Sequence, residues 1–451
     1  MKIPRIVIAG TTSGVGKTSI TAAIIHGIKK LGYSVQPFKV GPDFIDPSYL
    51  SAVSGNHARS LDPWLMSVKG VKECFRKNSN SDFSVIEGVM GFYDGFSGNS
   101  NFSSTYHVAE ILKTPVILVL DASKTARSIA ATALGFMKFQ KNSRISGFIL
   151  NKVGSKKHEN LCRQALDSLN LPIVGVIPRE PDLVMESRHL GLIPVSEQKQ
   201  LQSKISRIAK TMSNFINFDK IIQFGNKVPS MDPIPKKKNP KEKTTIAVAL
   251  DESFNFYYQD NLDVLQREGA KLEFFSTISD SVVPRCDGIY IGGGFPEVMG
   301  DALEKNSRMQ KNIKRIAESG MPIYAECGGL MYLTKSIDYG SKKFMMVGLF
   351  DVTTKMQKKL KLNYTKAMVV SDCLLAKPPN IIQGHEFHFS ELESIPKDTR
   401  FAYELSIGIG IKNQKDGLIQ DNTIASYMHL HLARPRIARS FVQNCIKYSK
   451  R

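Results

Sequence analysis

No stretch of the sequence approaches the roughly 18 consecutive apolar residues that a membrane-spanning helix needs. The N-terminal segment, Met1 to Gly10, has neither the apolar core nor the cleavage site of a signal peptide, and it is typical of a first β-strand. The six cysteines are scattered over 451 residues without paired ligand spacing or a dense disulfide framework. We therefore expect a protein of the reducing cytoplasm, with no membrane partner.

Acidic residues are scarce relative to basic ones: 41 Asp and Glu against 61 Lys and Arg give a formal net charge of +20. A basic chain can bind nucleic acid, but this sequence has no helix-turn-helix, no zinc finger and no stripe of aromatic and basic residues. The explanations that remain are a solvated, lysine-rich surface and electrostatic steering of polyanionic substrates. We expect no nucleic-acid partner.

The length exceeds what one hydrophobic core usually supports, so two domains are expected. Strands and helices alternate in the first half, which predicts a mostly parallel sheet covered on both faces. A proline- and lysine-rich stretch then interrupts the pattern, as exposed linkers do, and a second α/β series follows. We predict domains at 1–225 and 244–451, joined by a linker at 226–243. The predicted strands are Arg5–Ala9, Val35–Val40, Phe83–Ile86, Pro115–Leu120, Gly147–Leu150 and Ile173–Ile177, then Thr245–Leu250, Leu272–Ser276, Gly288–Ile291 and Pro322–Ala325.

A glycine-rich loop, Gly10–Thr18, follows the first predicted strand and opens a helix. Its glycines, among them Gly14 and Gly16, let backbone N–H groups approach phosphate oxygens. Lys17 would reach the outer phosphates of ATP, and the Thr18 hydroxyl would bind Mg²⁺. The first glycine of the usual spacing is replaced by Thr11, with Gly10 one position earlier.

Carboxylates follow two further strands of the first domain, in the segments Val40–Pro47 and Glu87–Gly95. Ligands of open α/β sheets bind at the carboxyl ends of strands, and Mg²⁺ prefers oxygen ligands. Acidic residues next to glycine and proline also form turns, but four of them beside a phosphate loop favour a site: Asp43, Asp46, Glu87 and Asp94. Asn151, after another strand, is a candidate contact for the nucleotide base.

Cys327 stands at the end of a predicted strand and is followed by two glycines and a helical segment. Such a turn exposes a nucleophile, and a helix N-terminus lowers the pKa of a thiol. The developing oxyanion needs donors, which Gly328 and the turn containing Gly293 and Gly294 can supply. The alternative for a lone cysteine is a buried apolar side chain.

A cysteine nucleophile needs a base, and four histidines in the second domain form the pairs His385/His388 and His429/His431. The segment Ala425–His431 resembles a strand that delivers His429 to the cysteine. Because residues i and i+2 face the same side of a strand, His431 could orient His429. A metal site built from the four histidines is the alternative.

Together these segments resemble the cobyrinic acid a,c-diamide synthases of the cobalamin pathway, over nearly the whole chain. That family joins a dethiobiotin-synthetase-like domain to a class I glutamine amidotransferase domain, so the resemblance implies an α/β protein with an N-terminal P-loop parallel-sheet domain and a C-terminal amidotransferase domain. The extended spacing of the phosphate loop is also the dethiobiotin-synthetase form. The matching segments are Gly10–Thr18, Val40–Pro47, Glu87–Gly95, Gly292–Glu297, Ala325–Gly329, Gly384–Ser390 and Ser426–His431.

The resemblance implies that Cys327 attacks glutamine, while His429 activates the thiol and protonates the departing ammonia. The third residue of the usual His-Pro-Glu pattern is His431 here, which leaves the orienting group open between His431 and Glu386.

For the first domain the resemblance implies that ATP is held by the phosphate loop and Mg²⁺ by Thr18, Asp43 and Glu87. Asp46 and Asp94 would then handle the substrate carboxylate. ATP would phosphorylate side chains a and c of cobyrinic acid or a related tetrapyrrole, and ammonia from L-glutamine would convert each acyl phosphate to an amide. A homodimer is among the oligomeric states considered.

Three other functions compete. Nickel-sirohydrochlorin a,c-diamide synthase shares these motifs and differs in its macrocycle. Cobyric acid synthase, which amidates other carboxylates, matches the motifs less well. A P-loop ATPase with a degenerate second domain would not need Cys327 and His429.

Overall fold

The structure, a computed structural model, describes residues 2–183, 195–232 and 241–451. The chain divides into two compact units, Met1–Lys236 and Lys237–Arg451. The division between the two units falls within the predicted linker at 226–243. Residues 233–240 of that linker lie outside the described ranges. Among the described residues, no helix combines the length and apolarity needed to cross a membrane.

The first unit is built around one parallel sheet. Its strands are β1 (Arg5–Gly10), β2 (Val35–Val40), β3 (Arg59–Leu61), β4 (Phe83–Glu87), β5 (Val116–Asp121), β6 (Ile145–Val153) and β7 (Ile173–Pro178). Its helices are α1 (Lys17–Lys30), α2 (Ile45–Ser54), α3 (Pro63–Asn78), α4 (Thr105–Leu112), α5 (Ser128–Lys138), α6 (Lys156–Asp167), α7 (Val195–Ser213) and α8 (Phe218–Asn226), with a short 3-10 helix at Pro181–Leu183.

The strand order in this sheet is β3-β2-β4-β1-β5-β6-β7, and every neighbouring pair is parallel. Strands β1 and β2 are buried along their whole length, because helices cover both faces of a parallel sheet. Burying these Val- and Ile-rich strands supplies the main driving force for folding of the unit. The order places the end of β1, with its phosphate loop, beside the end of β4.

The second unit contains a mixed sheet. Its strands are β8 (Thr244–Ala249), β9 (Ala270–Phe275), β10 (Gly288–Ile291), β11 (Ile323–Glu326), β12 (Thr334–Tyr339), β13 (Lys342–Met345), β14 (Phe350–Val369), β15 (Ile381–Glu393), β16 (Arg400–Ile407), β17 (Lys415–Gln420), β18 (Thr423–Ser426) and β19 (His429–Leu430). Its helices are α9 (Gln259–Arg267), α10 (Gly300–Lys305), α11 (Ser307–Glu318), α12 (Gly328–Leu333) and α13 (Pro435–Tyr448).

Five strands of this sheet, in the order β18-β11-β10-β8-β9, are parallel to their neighbours. The remaining strands pair mostly antiparallel, and the long strands β14 and β15 form the largest such pair. Strand β15 also pairs with the short β19, with His385 opposite His429. The parallel part aligns the ends of β10, β11 and β18 at one edge of the sheet.

The predicted fold class is confirmed. All ten predicted strands are present, and Val35–Val40 and Gly288–Ile291 have the predicted bounds. The sequence analysis missed β3 and all the strands from β12 to β17. The longest of them, β14, carries exposed lysines and mixes buried with exposed positions, so it lacks the continuous apolar run that revealed the parallel strands.

Candidate active sites

The phosphate loop connects β1 to α1, and its lysine donates hydrogen bonds to nearby backbone oxygens. Gly14 and Gly16 have φ of 74° and 95°, a region that glycine occupies without a steric penalty. Lys17 Nζ donates to Thr12 O at 3.1 Å and to Met90 O at 2.5 Å. Burial, together with nearby Lys39, lowers the pKa of Lys17 to about 8. These backbone oxygens hold the ammonium where phosphate oxygens would compete for it.

Asn151, expected to contact a nucleotide base, lies against this loop. Its Nδ2 donates to Val15 O at 2.8 Å, and a Cβ atom on Gly16 would lie 2.4 Å from the same nitrogen. Lys152, which the sequence analysis did not select, bonds Gly14 O at 3.4 Å and Asp121 at 2.6 Å. Strand β6 therefore supports the loop through two consecutive side chains.

A buried cluster of opposite charges lies beside the phosphate loop. Thr18 Oγ1 donates to Glu87 Oε1 at 2.7 Å. Lys39 Nζ, at the end of β2, lies 2.9 Å from that oxygen, 2.5 Å from Asp46 Oδ2 and 3.8 Å from Asp43 Oδ2. The sequence analysis gave Lys39 no role in the site. A lysine directly before a run of acidic residues at a strand end was the signal available.

The charged side chains in this cluster shift one another's pKa values. Burial alone would lower the pKa of Lys39, but the three carboxylates outweigh it and raise that pKa above its ordinary value. Burial would raise the pKa of Asp46, yet Lys39 holds it below the usual range. Burial raises the pKa of Glu87 despite Lys39. The ammonium is thus the cation that keeps these carboxylates together.

Asp43 and Asp94 are engaged by backbone groups of their own loops. Asp43 Oδ1 accepts from the N–H of Ile45 at 2.8 Å, which begins α2. Asp94 Oδ2 accepts from the N–H of Gly91 at 2.9 Å. Of the predicted Mg²⁺ ligands, only Thr18 and Glu87 are in direct contact.

The oxygens of Thr18 and Glu87 fit a Mg²⁺ ion that completes its shell with phosphate and water. Glu87 is fully buried, and its Oε2 has no hydrogen-bond partner within the described residues. No three His, Cys, Asp or Glu side chains in those ranges are arranged as a metal site. The protein alone therefore offers a partial site that a nucleotide would complete.

Cys327 lies in a sharp turn between β11 and α12. Its φ of 47° and ψ of −99° are unusual for a residue with a side chain, and such backbone conformations cost on the order of 1–3 kcal/mol. The surrounding structure holds the turn: Cys327 N–H donates to Ser426 O at 2.7 Å, and Met331 N–H donates to Cys327 O at 3.0 Å. The Sγ donates to Phe387 O at 3.4 Å. The turn therefore ends β11 and fixes the position of the thiol between the strand and α12.

The glycines expected to form the oxyanion hole are brought together beside the cysteine. A Cβ atom on Gly328 would lie 3.0 Å from Gly294 N, and one on Gly293 would lie 2.5 Å from His429 Cε1. The turn after β10, the nucleophile after β11 and the histidine after β18 thus meet at one edge of the parallel strands. Glycine at these positions permits the close approach.

A carboxylate close to His429 comes from Glu326, which is neither of the two residues considered for the orienting role. Glu326 Oε2, at the end of β11, lies 3.9 Å from His429 Nδ1. The Glu326 carboxylate accepts from Leu430 N at 2.8 Å, from Tyr290 Oη at 2.9 Å and from the hydroxyl of Tyr324. The residue directly before the cysteine therefore anchors the chain directly after His429.

Glu386 and His431 have other contacts. Glu386 accepts from Asn363 Nδ2 and Ile409 N, each at 2.8 Å, and from Gly410 N at 3.1 Å. Because His385 pairs with His429 across the strands, its neighbour Glu386 points to the opposite face. His431 packs against Tyr258, with ring centroids 4.7 Å apart.

His429 is packed on a second histidine. The rings of His385 and His429 are stacked at 4.9 Å with 9° between their planes, and Tyr258 Oη lies 2.7 Å from His385 Nε2. Asp416, also missed by the sequence analysis, accepts from the N–H groups of Tyr427 and Met428 at 3.0 Å each. These contacts fix the segment that carries His429.

Burial keeps the candidate catalytic pair neutral. It lowers the pKa of His429 to about 3. It also raises the pKa of the Cys327 thiol, an effect that Glu297 adds to and that the Gly328 N–H only partly offsets. The expectation of a lowered thiol pKa is therefore wrong: α12 has six residues, and burial outweighs the effect of its N-terminus. Burial also raises the pKa of Glu326 to about 7.

Comparisons with known proteins match both units. Residues 6–192 match the model of the "CobQ/CobB/MinD/ParA nucleotide binding domain", and residues 245–437 match that of the "CobB/CobQ-like glutamine amidotransferase domain". The first supports ATP binding and the second supports the use of glutamine as amide donor.

Curated relatives named cobyrinate a,c-diamide synthase align with nearly the whole chain. The protein of Methanocaldococcus jannaschii is 42% identical over 450 residues, which cover 98% of this chain and 99% of the relative. That of Dehalococcoides mccartyi is 41% identical over 460 residues, covering 98% of each. That of Methanosarcina barkeri is 39% identical over 476 residues, covering 98% of this chain and 96% of the relative. The chain belongs to the cobyrinate a,c-diamide synthase family, and it is an ATP-binding ligase that forms C–N bonds with glutamine as amide donor.

Proposed function

We propose that the protein converts the a and c side-chain carboxylates of cobyrinic acid to amides in cobalamin biosynthesis. The observation that carries the proposal is the name shared by relatives that are about 40% identical along their full length. The two sites described above supply the groups that the reaction needs, one in each unit.

In the second unit, Cys327 attacks the side-chain amide of glutamine. The thiol proton passes to His429 as the bond forms, since both groups are neutral beforehand. The imidazolium produced would then attract Glu326, whose carboxylate lies 3.9 Å away. The N–H groups of Gly294 and Gly328 would stabilise the oxyanion, and His429 returns the proton to the departing ammonia.

Glu297 has the properties of a contact for the α-ammonium group of glutamine. It is 3% exposed, and its Oε2 has no hydrogen-bond partner in the described part of the chain. Its carboxylate is close enough to Cys327 to raise the pKa of the thiol. A substrate ammonium would compensate this buried charge, which is costly without a partner.

In the first unit, the phosphate loop and Lys17 hold the phosphates of ATP while a substrate carboxylate attacks the γ-phosphorus. Thr18 and Glu87 would hold Mg²⁺, which when bound neutralises charge on the phosphates. Lys39 neutralises the acidic cluster beside the reacting groups. ADP leaves as the acyl phosphate forms. Ammonia then attacks the acyl carbon and displaces phosphate, giving the amide, and the cycle repeats at the second carboxylate.

The decisive experiment measures the mass gained by cobyrinic acid and by nickel-sirohydrochlorin, in parallel, with ATP and glutamine. Two amides on cobyrinic acid are expected. The Cys327→Ala variant should amidate only when ammonia is added. Amidation of the nickel macrocycle alone would assign the enzyme to the other substrate, and turnover of neither would contradict the ligase mechanism.

A further inference from the structure

An apolar groove of about 330 Å³ opens on the surface of the first unit. Its walls come from the loop after β4 and from α5, and the residues that line it are Tyr93, Ala131, Thr132, Gly135, Phe136 and Phe139. Phe139 is 68% exposed. Aromatic surface left open to water is typical of a binding site rather than of a solvated helix face.

The aromatic rings of the groove are held in fixed positions. Tyr93 is stacked on Phe136, with centroids 5.7 Å apart and 21° between the planes, and lies 5.0 Å from Phe139. The Tyr93 hydroxyl donates to Phe136 O at 2.6 Å. A rigid aromatic wall suits a flat conjugated ligand, because it offers contact area at little entropic cost.

The same loop connects the groove to the phosphate site. Met90 O accepts from Lys17 Nζ, and Phe92 N–H donates to Gly10 O at 2.8 Å. Tyr93 is the next residue, so the chain from Met90 to the groove spans at most about 10 Å. A ligand in the groove would have its edge beside the phosphate loop.

The side of the groove formed by α5 is basic. No Asp or Glu occurs between Asp121 and Glu159, whereas Lys and Arg are frequent there. Arg127 lies one turn before Ala131 and Lys138 one turn after Gly135, on adjoining parts of the α5 surface, and both are exposed. An apolar floor with a cationic edge complements a ligand that has apolar faces and peripheral carboxylates.

We propose that this groove binds one face of the tetrapyrrole, with Tyr93, Phe136 and Phe139 against the ring and Arg127 and Lys138 against its peripheral carboxylates. The inference rests on the function proposed above and adds the location of the macrocycle. Binding there would direct one carboxylate toward the phosphate loop while the others meet the basic edge.

The test blocks the groove without disturbing the helix. A Cβ atom on Gly135 meets no atom within 4 Å, so the side chain of Gly135→Trp would extend into the groove. Leu134→Trp is the matched control, because Leu134 is exposed on the same helix but does not line the groove. Phe139→Ser, at a highly exposed position, is a second variant that removes a wall.

Equilibrium dialysis with cobyrinic acid should show a Kd at least about tenfold higher for Gly135→Trp and less than about twofold higher for Leu134→Trp. Phe139→Ser should weaken binding by an intermediate factor. The Kd for ATP and the glutaminase rate should not change. Replacing Arg127 and Lys138 with Gln should reduce the salt dependence of cobyrinic acid binding.

Suppose that the parent chain amidates cobyrinic acid while Gly135→Trp and Phe139→Ser bind it with unchanged Kd. That result would overturn the groove assignment and leave the proposed function intact. If light scattering showed that Gly135→Trp dissociates a dimer while the Kd is retained, the groove would be an interface between copies instead. A parent chain that neither binds nor amidates cobyrinic acid would refute the proposed function itself.

Discussion

Lys39 Nζ and Thr18 Oγ1 share one acceptor, Oε1 of Glu87, at 2.9 and 2.7 Å. Lys39 is also bonded to Asp46 in the first turn of α2, so the buried ammonium and the Glu87 carboxylate together join α2, the end of β4 and the first turn of α1. This relationship links the phosphate loop to the buried acidic cluster beside it.

Lys39→Met should abolish most amidation while leaving glutamine hydrolysis intact. Without the ammonium, the buried carboxylates repel one another and take up protons, and a rate loss of about a hundredfold is expected for a lost charge of this kind. Amide formation and glutaminase activity are measured on the same sample, and calorimetry of that sample reports whether the first unit is folded. Lys39→Arg, which keeps the charge, should retain more activity. Wild-type amidation by Lys39→Met would contradict the role.

Glu326→Gln should slow glutamine hydrolysis by about a hundredfold or more, as expected when the acidic partner of a catalytic histidine is lost. The physical reason is that an amide cannot compensate the imidazolium that His429 becomes. Amidation with added ammonia should be preserved. Glu386→Gln is the matched control, since that carboxylate accepts from loop N–H groups; it should lower the melting temperature and spare hydrolysis. The reverse ranking of the two variants would argue against Glu326.

The pH dependence of Cys327 alkylation by iodoacetamide, measured without glutamine, should show that the side chain is a thiol and not a thiolate at neutral pH. Because burial raises the pKa of this thiol above its ordinary value, the thiolate fraction grows with each pH unit throughout the neutral range. The rate should rise about tenfold per unit from about pH 7 to 9. Peptide mass spectrometry, with Cys327→Ser as the blank, follows the site. A plateau beginning below about pH 8 would show a stabilised thiolate instead.

Asp416→Ala should destabilise the protein, because Asp416 holds the segment that precedes His429. The buried carboxylate of Asp416 accepts hydrogen bonds from the N–H groups of Gly417, Tyr427 and Met428. With alanine at this position, all three N–H groups lose that acceptor. A loss of about 3 kcal/mol in the free energy of unfolding is expected from such buried donors, or about 6 to 12 °C in melting temperature for a unit of this size. Calorimetry of the full chain measures it. A shift below about 2 °C would mean that other groups satisfy these donors.

Local pattern was sufficient for most of the parallel strands, the glycine-rich loop after β1 and the turn at Cys327. Continuous apolar strands reveal themselves because both of their faces are buried, and glycines in a strand-to-helix turn mark a close backbone approach. The sequence alone therefore determined the fold class and the residues that stand at the ends of these strands.

Only the tertiary structure decided how side chains from distant segments combine. The Glu326–His429 approach depends on β11 and β18 being neighbours, and no short-range pattern encodes that pairing. The pKa of Cys327 likewise depends on how deeply the turn is buried, which reversed the expectation drawn from a helix N-terminus. Motif spacing locates a group along the chain, but its partners and its dielectric environment arise only when strands remote in sequence pack together.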